Sequence, residues 1–206
     1  MAVQLQQVSF GYDDQPILER VTLAFPEKGV VCLYGHSGCG KTTILRLLAG
    51  LERPEEGRIT GLEGKRTTVV FQEDRLLPWL TALENAALPL TGEDAHSRAL
   101  EVLERVGLEP AAGQYPDQLS GGMKRRVAIA RALAADGDVL LLDEPFTGLD
   151  DGLRRELAQA ITAQYADRLV VLVTHIEEEA VWMGADILRL PPAPLRGMLH
   201  FEKLRF

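Results

Sequence analysis

A chain of 206 residues, 46% of them hydrophobic, can bury the core of one α/β domain, with or without an inserted subdomain, and is too short for a large multidomain enzyme. With 30 acidic against 22 basic residues the formal net charge is −8, which argues against nucleic acid as a partner held by general phosphate attraction. No run of about 18 apolar residues occurs, no basic segment precedes an apolar one at the start, and the two cysteines, Cys32 and Cys39, do not form a disulfide framework, so a reduced, cytosolic protein is expected.

In chain order, residues 3–25 have a short β-like pattern, with Tyr12-Asp13-Asp14-Gln15-Pro16 as the turn between two strands. Val30-Val31-Cys32-Leu33-Tyr34 is a buried strand that runs directly into glycines. After Lys41, the residues Ile44, Leu45, Leu47 and Leu48 recur at helical spacing until Gly50. Strand character returns over 67–71. A helical stretch over 81–135, broken at 89–92 and 107–116, reads as an inserted subdomain. Strands are expected at 138–142 and 168–173 with a helix over 152–165 between them, then a last strand at 185–190. Pro191-Pro192-Ala193-Pro194 is expected to end regular structure. This alternation implies a largely parallel sheet covered on both faces.

Gly35-His36-Ser37-Gly38-Cys39-Gly40-Lys41-Thr42 fits G-x-x-x-x-G-K-[ST] in full. Glycines let backbone N–H groups turn onto phosphate oxygens, and the following helix offers its positive end to the same anion. Lys41 would reach the β- and γ-phosphates, and Thr42 would place its hydroxyl on Mg²⁺. Val139-Leu140-Leu141-Leu142-Asp143-Glu144 is an apolar strand delivering two carboxylates to its C-terminal end, where open α/β sheets bind ligands. Asp143 would hold Mg²⁺ and Glu144 would polarise the attacking water; successive strand side chains diverge, so the two acids cannot share one role. Taken alone, the pair could equally begin a solvated loop. Leu119-Ser120-Gly121-Gly122-Met123 opens a further helix, with Ser120 suited to capping it.

With that pentapeptide between the two phosphate-site elements, nearly the whole chain resembles the nucleotide-binding subunit of an ABC transporter. The resemblance implies a P-loop NTPase fold: a largely parallel core sheet with an antiparallel β subdomain (1–72 and 136–206) and a helical signature subdomain (73–135). It implies ATP and Mg²⁺ as ligands, with Gly35, His36, Ser37, Gly38, Cys39, Gly40, Lys41, Thr42 and Thr43 binding ATP, though the side chain of His36 sits at a variable position. Tyr12 matches the aromatic that stacks on adenine, Gln72 the Q-loop glutamine near Mg²⁺, Gly148-Leu149-Asp150 the D-loop and His175 the switch histidine. Lys41, Gln72, Glu144 and His175 are the implied catalytic set. Residues Leu119 to Met123 would serve the ATP of a second chain, so a head-to-tail homodimer on ATP binding is implied.

The run Val70-Phe71-Gln72-Glu73-Asp74-Arg75-Leu76-Leu77-Pro78-Trp79, followed by Leu83-Glu84-Asn85, resembles the nitrate, sulfonate and taurine importer branch. That branch implies membrane permease subunits, a substrate-binding protein acting indirectly, and a place on the cytoplasmic face of the cell membrane. Leu76-Leu77-Pro78-Trp79 offers apolar surface suited to a short helix of a membrane subunit, or else forms a small satellite core of the helical subdomain. The chain is shorter than usual for the family between Gly57 and Gln72 and after His175, which leaves no room for an appended regulatory domain. The alternative is a soluble, non-transport ATPase of the same superfamily, whose usual second nucleotide module or long coiled-coil insertion is not seen here.

Overall fold

A computed structural model describes residues 2–13 and 15–203. In chain order it contains β1 (Gln4–Tyr12), β2 (Gln15–Ala24), β3 (Gly29–Tyr34), α1 (Lys41–Leu48), β4 (Glu56–Thr60), β5 (Thr67–Val70), α2 (Ala82–Ala87), α3 (Ala95–Arg105) and α4 (Gly121–Ala135), followed by β6 (Val139–Asp143), α5 (Asp151–Gln164), β7 (Leu169–Thr174), α6 (Glu177–Trp182), β8 (Asp186–Arg189) and β9 (Leu195–Leu199).

Every residue of β6 and β7 is buried, as continuous apolar runs require at the centre of a parallel sheet with both faces covered. The sheet order is β5-β6-β7-β3-β8, and all its pairings are parallel. Strand alternation divides its side chains between two cores. Leu140, Leu142, Val170 and Leu172 face one core with Ile129 and Leu133 of α4 and Leu157 and Ile161 of α5. Val139, Leu141, Val171 and Val173 face the other, with Ile44, Leu45, Leu47 and Leu48 of α1 and the apolar side of β1 and β2. The parallel strands therefore carry Thr42, Glu144 and His175, which follow β3, β6 and β7, to the same end of the sheet.

The second sheet has the order β4-β1-β2-β9. β1 and β2 pair antiparallel, from Gln4↔Ala24 to Tyr12↔Gln15, and the expected turn includes residue 14, outside the described residues. Two corrections to the sequence reading arise here. Regular structure does not end at the prolines, because β9 follows them and pairs parallel with β2, with Leu195 fully buried. β1, β2 and β4 pair antiparallel, as expected of the antiparallel β subdomain, and β9 adds one parallel pairing at its edge. β4 was also unforeseen: Glu-Gly-Arg-Ile-Thr has no strand alternation of its own and is held as an edge strand by β1.

Thr81 and Glu84 form a reciprocal capping box at the start of α2. Arg126 Nη1 donates to the carbonyls of Val106 and Gly107 beyond the end of α3, at 3.1 and 3.0 Å, which ties α3 to α4. α2 and α3 pack on α4 and share its apolar core with the parallel sheet.

Candidate functional site

The loop between β3 and α1 folds around the side chain of Lys41, whose Nζ donates to the carbonyls of Gly35 and His36 at 2.7 and 2.9 Å. Gly38 and Gly40 have φ of 82° and 98°, a region that disfavours any residue with a Cβ. Gly35 is required for a different reason, since a Cβ there would stand 2.9 Å from Cys39 Sγ and 3.0 Å from the carbonyl of Leu190. Gly40 leaves α1 with no side-chain cap, whereas Ser120 and Asp150 cap α4 and α5 with their own oxygens. The first N–H groups of α1 are thus left for an external acceptor, as at an anion-binding helix start.

A cleft of about 390 Å³ lies over this loop, lined by Ser37, Gly38, Gly40, Lys41, Thr42 and Thr43 together with Tyr12, Ile17, Gln72 and Glu144. Gly35, His36 and Cys39 do not line it. Gly35 and His36 contribute carbonyls to Lys41, while Cys39 is buried beneath the loop. Tyr12 is 38% exposed, its ring edge-on to Phe10 at 5.0 Å and its hydroxyl accepting from Arg46 at 3.4 Å. Thr42 Oγ1 donates to Asp143 Oδ1 at 3.2 Å, and burial pushes the Asp143 carboxyl above its ordinary range against the opposing effect of that bond. A hydroxyl and a carboxylate are hard oxygen donors, the kind Mg²⁺ takes from proteins while phosphates and waters fill its remaining positions. Among the described residues no group of three or more His, Cys, Asp or Glu could hold a metal ion.

Glu144 adopts φ 46°, a left-handed backbone unusual outside glycine, with its amide bonded to the carbonyl of Val173 at 2.9 Å. Its Oε1 lies 3.4 Å from His175 Nδ1. His175 opens onto the neighbouring cavity with Tyr34, Gly35, His36, Ser37, Arg189 and Leu190, which shares Ser37 with the cleft of Lys41. A larger cavity of about 470 Å³ lies between β2, β9 and the residues after it, and none of the candidate site residues lines it.

Ser120 caps α4 by accepting from the amide of Met123 at 3.3 Å, with Leu119 buried and Gly121 exposed. A Cβ on Gly122 would stand 3.2 Å from Leu149 Cδ2, so this glycine admits the close approach of the 148–150 turn. Within that turn Gly148 has φ 80° and Asp150 caps α5 by accepting from Leu153 N at 3.0 Å. None of residues 119–123 lines the cleft of Lys41 in the same chain.

A protein-family model described as ABC transporter matches residues 18–147, spanning the loop, the pentapeptide and the acidic strand end. The chain belongs to the ABC transporter family. This ABC cassette is an ATP-binding protein and an ATPase, as its family is. It is 43% identical over 200 residues, 90% of its length and 76% of the relative's, to the taurine import ATP-binding protein TauB of Rhizobium johnstonii. Over 187 residues, 86% of its length and 71% of the relative's, it is 44% identical to the aliphatic sulfonates import ATP-binding protein SsuB 1 of Mesorhizobium japonicum. Among solved structures, a dimeric post-hydrolysis state of the ATP-binding cassette MJ0796 bound to ADP and Pi matches 99% of both chains at 32% identity with a TM-score of 0.87.

Two residues of the cassette act beyond what sequence reasoning assigned them. Asn85 is fully buried: its Oδ1 accepts from Leu77 N at 2.8 Å, and its Nδ2 donates to the carbonyls of Leu77, Leu80 and Thr81. It thereby holds the turn on which Trp79 stands 68% exposed, beside the half-buried Leu76 and Leu77. Arg125, read only as part of an importer-like run, is 3% exposed and bonded to the segments after both β5 and β6. A charged residue amid Val127, Ile129 and Ala130 at the start of a buried helix was the one available signal.

Proposed function

We propose that this chain hydrolyses ATP to power import of a small anion, taurine or an aliphatic sulfonate, through separate membrane subunits. The observation carrying the reading is the meeting of Lys41, Thr42, Gln72 and Glu144 at one cleft, in a chain whose relatives are named as taurine and sulfonate import ATP-binding proteins. Those names favour sulfonate over nitrate as cargo.

Loop amides and Lys41 hold the β- and γ-phosphates, Lys41 exchanging its two loop carbonyls for phosphate oxygens, while Tyr12 stacks on adenine. Thr42, Asp143 and Gln72 would hold Mg²⁺, whose chemistry there would be to offset phosphate charge. Glu144 orients and polarises water for in-line attack, and His175 steadies Glu144 and the γ-phosphate. Ser120 and the glycines of a second chain close over the same phosphate, in keeping with the dimeric cassette relative. Residues Leu119 to Met123 and Gly148 to Asp150 then form the interface, and residues 73–135 move as the helical subdomain. The Gln72-to-Trp79 segment transmits closure to permease subunits on the cytoplasmic face of the membrane, with a substrate-binding protein delivering cargo. No helix among the described residues is long and apolar enough to cross a membrane.

Replacing Glu144→Gln tests the reading. ATP affinity is expected to persist while turnover falls about 100-fold or more, the loss associated with a missing general base. Wild-type turnover in this variant would remove Glu144 from the mechanism.

A further inference from the structure

Arg125 directs its five N–H donors at six acceptors from two segments that sequence separates by about seventy residues. Nη1 donates to the carbonyls of Phe71 and Gln72 at 2.5 and 3.2 Å and to Asp74 Oδ1 at 3.2 Å. Nη2 donates to the carbonyls of Asp143 and Glu144 at 2.9 and 2.7 Å, and Nε to that of Pro145 at 2.7 Å. The register of β5 on β6 ends at Val70↔Leu142, so these acceptors begin where the backbone ladder stops. One guanidinium continues the connection between the two chain segments after they diverge.

Three consecutive carbonyls, 143–145, converge on this group around the left-handed Glu144. A non-glycine residue keeps such a conformation only when its surroundings over-determine it, and Arg125 supplies that constraint from outside the turn. The same side chain belongs to the first turns of α4, five residues after Ser120. Farther along α4, Arg131 donates to the carbonyls of Asp74 and Arg75, both at 2.8 Å, so the helix grips the segment after Gln72 at two points.

We propose that Arg125 is a positioning residue: it sets Gln72 and Glu144 relative to each other and ties both to the helix that Ser120 opens. The inference rests on the roles given above to Gln72 and Glu144. Because its acceptors are almost all main-chain carbonyls, Arg125 acts on backbone placement and touches no substrate. A planar fork is required; an ammonium group is a point donor and cannot span both segments.

The test uses the full chain with Arg125→Lys, Arg125→Gln and Gln72→Ala, singly and as the Arg125→Lys/Gln72→Ala double variant. Turnover is read against ATP concentration, binding with a fluorescent ATP analogue, and folding by thermal melts. Arg125→Lys is expected to lower kcat about 10- to 100-fold, with analogue affinity within about threefold of wild type. Gln72→Ala should then cost less in the Arg125→Lys background than alone, because the two act on one geometry. Wild-type kcat in folded Arg125→Lys, or losses that simply multiply, would overturn the proposal. Loss of folding in both Arg125 variants would also overturn it, assigning the residue to stability alone. Undiminished turnover in Glu144→Gln would defeat the functional reading instead, whatever Arg125→Lys does.

Discussion

Glu179 shows how a single buried carboxylate can organise the candidate site without lining it. It is 2% exposed, and its Oε2 accepts from Thr174 Oγ1 at 2.5 Å; that hydroxyl in turn accepts from Ile176 N at 3.1 Å, so the turn carrying His175 is fixed from below. Burial raises the Glu179 carboxyl above its ordinary 4.5, outweighing the Thr174 bond and the nearby Arg154 and His175, and Glu144 pushes in the same direction as burial. The folded state therefore binds this proton more tightly than the unfolded chain. The stability it brings is complete below the unfolded value and is lost as pH rises through the folded one. Glu179→Gln keeps an acceptor for Thr174 and buries no charge. Its Tm should exceed wild type at about pH 8, by roughly 2–4 °C per kcal/mol of desolvation relieved, and the difference should shrink toward pH 4. Melting curves across that range decide it; a gap that widens on acidification would contradict the sign.

At the scale of elements, the sheet is assembled where glycine lets strands begin close together. A Cβ on Gly137 would overlap Thr68 Oγ1 and stand 2.8 Å from the carbonyl of Arg66, the carbonyl that accepts from both Asp138 N and Val139 N. Gly137→Ala must push β5 and β6 apart at their start, costing about 1–3 kcal/mol by overpacking. Thermal melting should drop by roughly 2–4 °C per kcal/mol. Gly137 lines neither the cleft nor its rim, so nucleotide affinity measured below Tm should be unchanged. β6 and β7 could be read from the sequence because their apolar runs are continuous. β4 could not, since β1 supplies the pairing that its polar residues do not advertise.

Under the proposed reading the molecule as a whole divides its chemistry between two surfaces. The cleft of Lys41 receives nothing from residues 119–123 of its own chain, although Gly122 packs against the 148–150 turn. Under the proposed reading each chain carries half of two sites. Ser120→Arg places a long cation at the exposed start of α4 and removes none of the bonds from Lys41 that shape the loop. ATP binding to the isolated chain should remain, while ATP-driven association and turnover are lost; analytical ultracentrifugation with phosphate release checks both. Full turnover would remove the pentapeptide from the mechanism.

The sequence by itself determined the parallel core and the order of the phosphate loop, the pentapeptide and the acidic strand end, because each is written in local residue types: continuous apolar runs, glycines before Lys41, carboxylates after Leu142. Tertiary structure alone decided that β9 follows the prolines, that Glu144 takes a left-handed backbone, and that Arg125 joins the segments after β5 and β6. These depend on partners distant in sequence, and the acceptors that hold Arg125 are mostly main-chain carbonyls, which every residue possesses and no residue type reveals.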